Sequence, residues 1–393
     1  MTSLSPETPP PLASPGLTRP RVQTYIARLT TAREGGRGQR VDLFPMMIEK
    51  AYESVHFFHD SRTGLRAIVA LHDTTFGPGL GGTRAISTYG TEAEAVDDVL
   101  RLARGMTFKA ALANIPFGGG KAVIMLPKEP FDRAALFEAF GRAVDTLGGR
   151  YITTEDAGTS PEDVAYMRRG TSHVVGLPRE MGGSGDPSPF TAFGVVRGIE
   201  ALAKLHFGRS DLEGLKVSIL GVGHVGFPLA RMLHERGAKL WVADVNPEAT
   251  RRAAEELGAA VVSPEELLSL EVDVFAPCAL GGAIDDHSLP LLRCKAVAGS
   301  ANNQLREDRH GKELHDRGIV YVPDYVLNAG GLINVAQEVE GYDEEKSREK
   351  VSRIYDTVYA ILERAKAENT RPEVVADRIV LERLAKAKAE KGA

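Results

Sequence analysis

The run Gly221-Val222-Gly223-His224-Val225-Gly226 constrains this chain more than any other stretch of its sequence. Glycines recur in many turns, so the run alone is weak and its surroundings carry the weight. The apolar segment Lys216 to Leu220 precedes it, a helical pattern to Arg236 follows, and a second strand, Lys239 to Ala243, ends on Asp244. This is one strand-helix-strand unit, with an acid near the ~20-residue spacing of a dinucleotide fingerprint. Gly221 permits the tight turn, Gly223 removes a side chain where a pyrophosphate approaches, and Gly226 lets helix and strand pack closely. His224 and Val225 complete the loop, which aims the positive end of the helix at the phosphates. Asp244 can accept both ribose hydroxyl protons and repels a 2′-phosphate, so NAD is expected rather than NADP. The competing reading is an ordinary glycine turn in which Asp244 caps a loop.

At 393 residues the chain exceeds one ordinary hydrophobic core, so two domains with a cleft between them are expected. Apolar residues make up 43% and charged ones 26%, and no apolar run approaches the roughly 20 residues of a membrane span. A formal charge of -5 without a basic block argues against nucleic acid or membrane and for a small-molecule partner. Cys278 and Cys294 lack metal-ligand spacing and read as buried thiols, which fits a cytoplasmic protein with no metal. Residues 1–22 are proline-rich without a signal-peptide pattern and are expected to form a disordered tail.

Upstream of the linker GLPREMGGSGDPSP the pattern is α/β. Ser54 to Asp60 and Arg66 to Asp73 read as a hairpin, Glu92 to Ala113 as a core-facing helix, Ala122 to Leu126 as a buried strand, Phe131 to Leu147 as a helix and Tyr151 to Thr154 as a strand. The first domain, 23–180, is therefore expected to hold a mixed sheet and the substrate, with helices 356–393 packing back onto it. The second, 190–355, is expected to be a doubly wound, Rossmann-type NAD-binding domain.

Gly118-Gly119-Gly120-Lys121 reads as a glycine turn between helix and strand. Lys109, Lys121 and Lys128 are the only lysines between positions 51 and 200. An ammonium in a poorly solvated pocket gives up its proton more readily, which makes Lys121 the candidate base. On the tetrapeptide alone, a solvated loop lysine explains it as well. The adjacent acids of Tyr151-Ile152-Thr153-Thr154-Glu155-Asp156 follow a short strand, where α/β sites form. Alone, such a pair is more often a turn or helix cap.

The stretches GPGLGGTRA, RLARGMTFKAALANIPFGGGKAVI, YITTEDAGTSPEDV, GDPSPFTAFGV, ILGVGHVG, GSANNQL and PDYVLNAGGLINVA together resemble the glutamate, leucine, phenylalanine and valine dehydrogenases, nearest to the leucine and phenylalanine branch. The resemblance covers about residues 50 to 390. It implies Lys121 as catalytic lysine, Asp156 as catalytic aspartate and Lys109 as the lysine binding the substrate α-carboxylate. Gly81 and Gly82 would border that carboxylate, Asn302 and Thr191 would lie near the nicotinamide, and Asn328 beside the substrate. The implied reaction is reversible, NAD-dependent oxidative deamination of an L-amino acid. Hydride leaves Cα, Lys121 assists attack of water on the iminium, and Asp156 moves protons as ammonia departs. A homo-oligomer is implied as well.

In the glutamate branch a lysine precedes the glycine pair and a serine follows the Asn-Ala-Gly-Gly segment, both meeting the γ-carboxylate. Here Leu80 and Val335 stand at those positions, and Leu332 is also apolar. An apolar substrate is expected, with leucine and its branched relatives favoured. Leu332 resembles phenylalanine enzymes more than leucine enzymes, whereas Thr154 is larger than the residue usual there and reduces pocket volume. An aromatic substrate is the alternative; a non-catalytic regulatory subunit is a further one, opposed by the retained Lys109, Lys121 and Asp156.

Overall fold

The computed structural model describes residues 42–279 and 281–392; the proline-rich tail lies outside them. A helix, Leu43–Lys50, precedes the first sheet. That sheet contains β1 (Ser54–Asp60), β2 (Leu65–Asp73), β3 (Gly79–Ile86), β4 (Gly118–Met125) and β5 (Tyr151–Glu155), in the order β1-β2-β4-β3-β5. β1 and β2 form the expected antiparallel hairpin, closed through Gly64 at φ +75. β2 pairs antiparallel with β4, whereas β3 runs parallel to both β4 and β5, so the sheet is mixed.

Two expectations need correction. The segment Gly118-Gly119-Gly120 is not a turn but the first part of β4, with Lys121 inside the strand opposite Ala70. Close neighbours explain the glycines. A Cβ on Gly119 would lie 2.0 Å from Thr107 Oγ1, and one on Gly120 2.6 Å from the Tyr151 ring. β3 was not anticipated as a strand, because Gly79, Gly81 and Gly82 lower its β propensity.

The helix Glu92–Leu112, whose Thr91 cap accepts from Glu94 N, covers one face of this sheet through Val96, Val99 and Leu100 against Ile68, Ala70 and Val123. The helices Arg133–Asp145 and Pro161–Gly170 cover the other, where Phe137, Phe140 and Met167 meet Ala122, Ile124 and Tyr151.

The second sheet is fully parallel: β6 (Lys216–Leu220), β7 (Lys239–Ala243), β8 (Ala260–Val261), β9 (Val274–Pro277), β10 (Ala296–Val297) and β11 (Val320–Tyr321), ordered β11-β10-β9-β6-β7-β8. The order reverses between β6 and β9, the switch point at which doubly wound sheets bind ligands. The helix Ser188–His206 packs against Ile354–Ala367, with Gly194 leaving room for Ile354. Of the C-terminal helices, Ile354–Ala367 thus lies with the second sheet, while Pro372–Lys391 reaches the first domain. There Lys388 pairs with the buried Asp73 at 2.7 Å and Arg383 donates to Ala111 O at 2.7 Å.

Candidate active site

Strand alternation and register put the chemistry on one face. Leu80 lies beside Gly119 and Ile152, and Gly82 beside Thr154. Stepping by two along each strand, Leu80, Gly82, Arg84, Lys121 and Thr154 share the face covered by the helix Glu92–Leu112. Asp156 follows directly at the end of β5. Lys121, only 5% exposed, meets Asp156 Oδ2 through Nζ at 2.8 Å. Arg84 Nε approaches the same oxygen at 3.4 Å, and its Nη1 holds Asp98 Oδ2 at 2.8 Å. Asp98 in turn accepts from Tyr89 OH at 2.7 Å and from Arg101 at 2.8 Å. Burial alone pushes the Asp156 carboxyl up, but Lys121 and Arg84 outweigh it and hold it down at about 2.

Lys109, in the last turn of Glu92–Leu112, reaches the other domain. Its Nζ donates to Asn302 Oδ1 at 3.2 Å, which also accepts from Asn328 Nδ2 at 2.9 Å. Asn328 Nδ2 also donates to Ser300 O, while its Oδ1 is buried without a hydrogen-bond partner. Burial, with Lys121 adding to it and Asp324 and Asp156 opposing, brings the Lys109 ammonium down to about 8. Asp324 accepts from Gln304 N at 2.8 Å and Tyr321 OH at 3.1 Å, and burial raises its carboxyl.

Leu80, Leu332 and Val335 are all buried in one core cluster that spans both domains. Thr154 is buried nearby with Oγ1 unpartnered. Gly81 and Gly82 cannot carry side chains, since a Cβ would lie 1.9 Å from Gly120 O and 2.3 Å from Glu155 O respectively.

The loop after β6 has the shape a dinucleotide requires. Gly221 sits at φ +95, a Cβ on Gly226 would lie 1.9 Å from Gly221 O, and a Cβ on Gly223 would face open space. The helix Gly226–His234 begins without a side-chain cap, so its first N–H groups are left for an anion. Asp244 accepts from Val222 N at 2.7 Å and Asn246 N at 2.8 Å, which fixes its carboxylate at the end of β7. His224 is exposed, and the Glu155 carboxyl is raised by burial, Asp186 and Asp156 against a small opposing influence of His224. Val225 packs on the core, and Thr191 donates to Pro187 O beside Gly331. No group of three metal-ligating side chains occurs among the described residues.

Arg84 and Asp98 were missed from sequence. Counting two residues beyond Gly82 along an extended strand would have put Arg84 on the same face as Lys121.

A buried ammonium-carboxylate pair on one sheet, facing a dinucleotide loop on another, defines a two-domain dehydrogenase. The chain belongs to the glutamate/leucine/phenylalanine/valine dehydrogenase family: residues 52–173 match its dimerisation domain and residues 242–392 its Glutamate/Leucine/Phenylalanine/Valine dehydrogenase domain. It is an amino acid dehydrogenase, of a family that works with a nicotinamide dinucleotide. It is 50% identical to leucine dehydrogenase of Geobacillus stearothermophilus, over 88% of this chain and 94% of that one. It is 46% identical to phenylalanine dehydrogenase of Thermoactinomyces intermedius, over 88% and 94%. The solved L-tryptophan dehydrogenase of Nostoc punctiforme superposes with a TM-score of 0.78 at 44% identity, covering 88% of this chain and all of that one.

Proposed function

We propose that this enzyme converts L-leucine and its branched-chain relatives, with NAD and water, reversibly to the 2-oxo acid, ammonium and NADH. The observation that carries the proposal is the buried Lys121–Asp156 pair at 2.8 Å, on the sheet face that also presents Leu80. Gly221, Gly223, Gly226 and the uncapped helix start would hold the pyrophosphate, and Asp244 the adenosine ribose. Thr191 and Asn302 would border the nicotinamide. That group supplies a hydride acceptor when bound.

The protein's own residues do the rest. Lys109 holds the α-carboxylate: an ammonium at about 8 remains mostly charged at neutral pH, and an arriving carboxylate strengthens its hold on the proton. Asn328 and the backbone of Gly81 and Gly82 orient the same end. Lys121 first hands a proton to Asp156, 2.8 Å away, and the freed amine then takes a proton from the attacking water. While two cations face Asp156 it stays ionised; as the Lys121 charge goes, one of them is gone, so Asp156 holds the transferred proton better until it is passed on to the departing nitrogen.

Leu80, Leu332, Val335 and Thr154 form the side-chain pocket. A glutamate γ-carboxylate there would be buried among hydrocarbon, which costs several kcal/mol, and each ~1.4 kcal/mol is a tenfold loss. A steady-state panel of leucine, valine, isoleucine, phenylalanine, tryptophan and glutamate with NAD and NADP tests this. Leucine should exceed glutamate by about a hundredfold in kcat/KM, and NAD should exceed NADP. Equal turnover of leucine and glutamate would sink the substrate reading, and a clear preference for phenylalanine would replace it with the aromatic one. The division into a substrate domain, 23–180, and a cofactor domain, 190–355, belongs to the same proposal. So does a homo-oligomer, supported by the match to a dimerisation domain, and so does a reducing, cytoplasmic setting, supported by the free thiols of Cys278 and Cys294.

A further inference from the structure

Among the side chains of the proposed side-chain pocket, Thr154 carries a polar atom that no described residue satisfies. Thr154 Oγ1 is buried and without a hydrogen-bond partner, in a residue that is 7% exposed. Buried hydroxyls nearly always find a partner, so an exception at a substrate site points to what the site takes.

The surroundings explain why no internal partner is available. Segment 173–176 runs beside β5, and its Gly176 backs onto Thr154 at φ +80. The backbone N–H of that glycine is already committed to Glu338 Oε1 at 2.9 Å, and that oxygen also takes Ser184 N at 2.7 Å. The neighbouring Thr153 hydroxyl points to the opposite face, where it pairs with Thr83 Oγ1 at 2.6 Å. A Cβ on Gly176 would lie 2.3 Å from Thr154 Oγ1 and 3.9 Å from Val335 Cγ1. Gly176 lacks the side chain that would collide there, so the hydroxyl packs against its backbone, next to the apolar wall. Thr154 shares its sheet face with Lys121 and Leu80 and stands two residues before Asp156, so its side chain is carried on the reacting side of β5.

Resting on the amino acid dehydrogenase reading above, we propose that Thr154 makes this enzyme a dehydrogenase for aliphatic L-amino acids bearing one neutral hydroxyl on the side chain. The Thr154 hydroxyl can donate to or accept from that group, while Leu80, Leu332 and Val335 contact its hydrocarbon. A charged side chain finds no counter-ion among these residues. The chemistry at Cα is unchanged: the C–H bond gives a hydride to NAD, water replaces nitrogen, ammonium leaves, and the side-chain hydroxyl emerges intact in the 2-oxo acid.

The test compares matched substrates that differ by methyl against hydroxyl, L-valine with L-threonine and L-leucine with 4-hydroxy-L-leucine. Each is measured as kcat/KM with NAD on wild type, Thr154→Val and Thr154→Ser. Wild type should turn over at least one hydroxylated member within tenfold of its hydrocarbon match. Thr154→Val, which is isosteric, should shift that ratio at least tenfold toward hydrocarbon, and Thr154→Ser should retain it. If Thr154→Val changes both members of each pair by the same factor, Thr154 is only a volume element and the proposal falls. Should Thr154→Val fail to fold, judged by its thermal melt, the wild-type ratio decides: hydroxylated substrates more than a hundredfold poorer than their matches overturn it. Inactivity of wild type on leucine and valine would instead strike the underlying function, a result distinct from either.

Discussion

The two sheets hold their working groups in opposite ways. In the mixed sheet the proposed chemistry rests on side chains inside strands: Lys121 lies within β4, Arg84 within β3, and both bear on Asp156 at the end of β5. In the parallel sheet the groups proposed to hold the dinucleotide are backbone N–H groups on the loop after β6 and the Asp244 carboxylate just beyond β7. A charge on the covered face of a sheet is cut off from water, so it must be paired, and the pairing sets its proton affinity. A loop beyond the sheet needs no such pairing, and it offers positive partial charge and shape rather than a titrating group.

The largest expected effect follows from that division. Lys121→Ala should lower kcat by about a thousandfold, the scale of a lost general base, while NADH binding followed by fluorescence stays near wild type. A comparable loss of NADH binding would mean that the two sheets are not separable in this way. Next comes the group that joins them. Lys109 at about 8 should impose a limb on kcat/KM for the 2-oxo acid, falling about tenfold per unit as pH rises beyond its pKa, because the deprotonated lysine no longer attracts a carboxylate. Lys109→Arg, charged throughout, should lose that limb; its persistence would assign the limb to another group.

The same contrast decides what the sequence disclosed. β6 and β7 were legible to the residue because strands buried on both faces read as continuous apolar runs. Asp244 followed from their spacing. β3 was not legible: its glycines look like loop, and the reason for them is the approach of Gly120 O and Glu155 O, contacts from distant sequence. For the same reason the glycines before Lys121 were taken for a turn. Lys121, Asp156 and Lys109 are proposed on resemblance, since neither a lone lysine nor a pair of acids declares a site. The link from Lys109 to Asn302 spans 193 residues and crosses the cleft, so no local pattern encodes it.

The smallest effect expected is the one that probes the pairing itself. Asp156 at about 2 lies below its ordinary 3.8, so its charge stabilises the fold above 3.8, and that contribution is lost as pH falls from 3.8 through 2. It amounts to about 2 kcal/mol, an order-of-magnitude value for a side chain that is 21% exposed. Burial opposes this, and the cations Lys121 and Arg84 produce it. Arg84→Met removes one of those cations and leaves Lys121 and the substrate pocket in place, so the folded carboxyl should rise by about one unit. The acid limbs of thermal stability and of kcat/KM should both move upward, with little change in kcat at neutral pH. Arg84→Lys restores a cation at the same point of β3 and should bring the limbs most of the way back, although it cannot span Asp98 and Asp156 as a guanidinium does. A purely structural Arg84 would lower stability at every pH and leave the limbs where they are, and Lys would then rescue no better than Met. That outcome would make Lys121 alone responsible for the state of Asp156 and reduce the buried charges of the mixed sheet to a single pair.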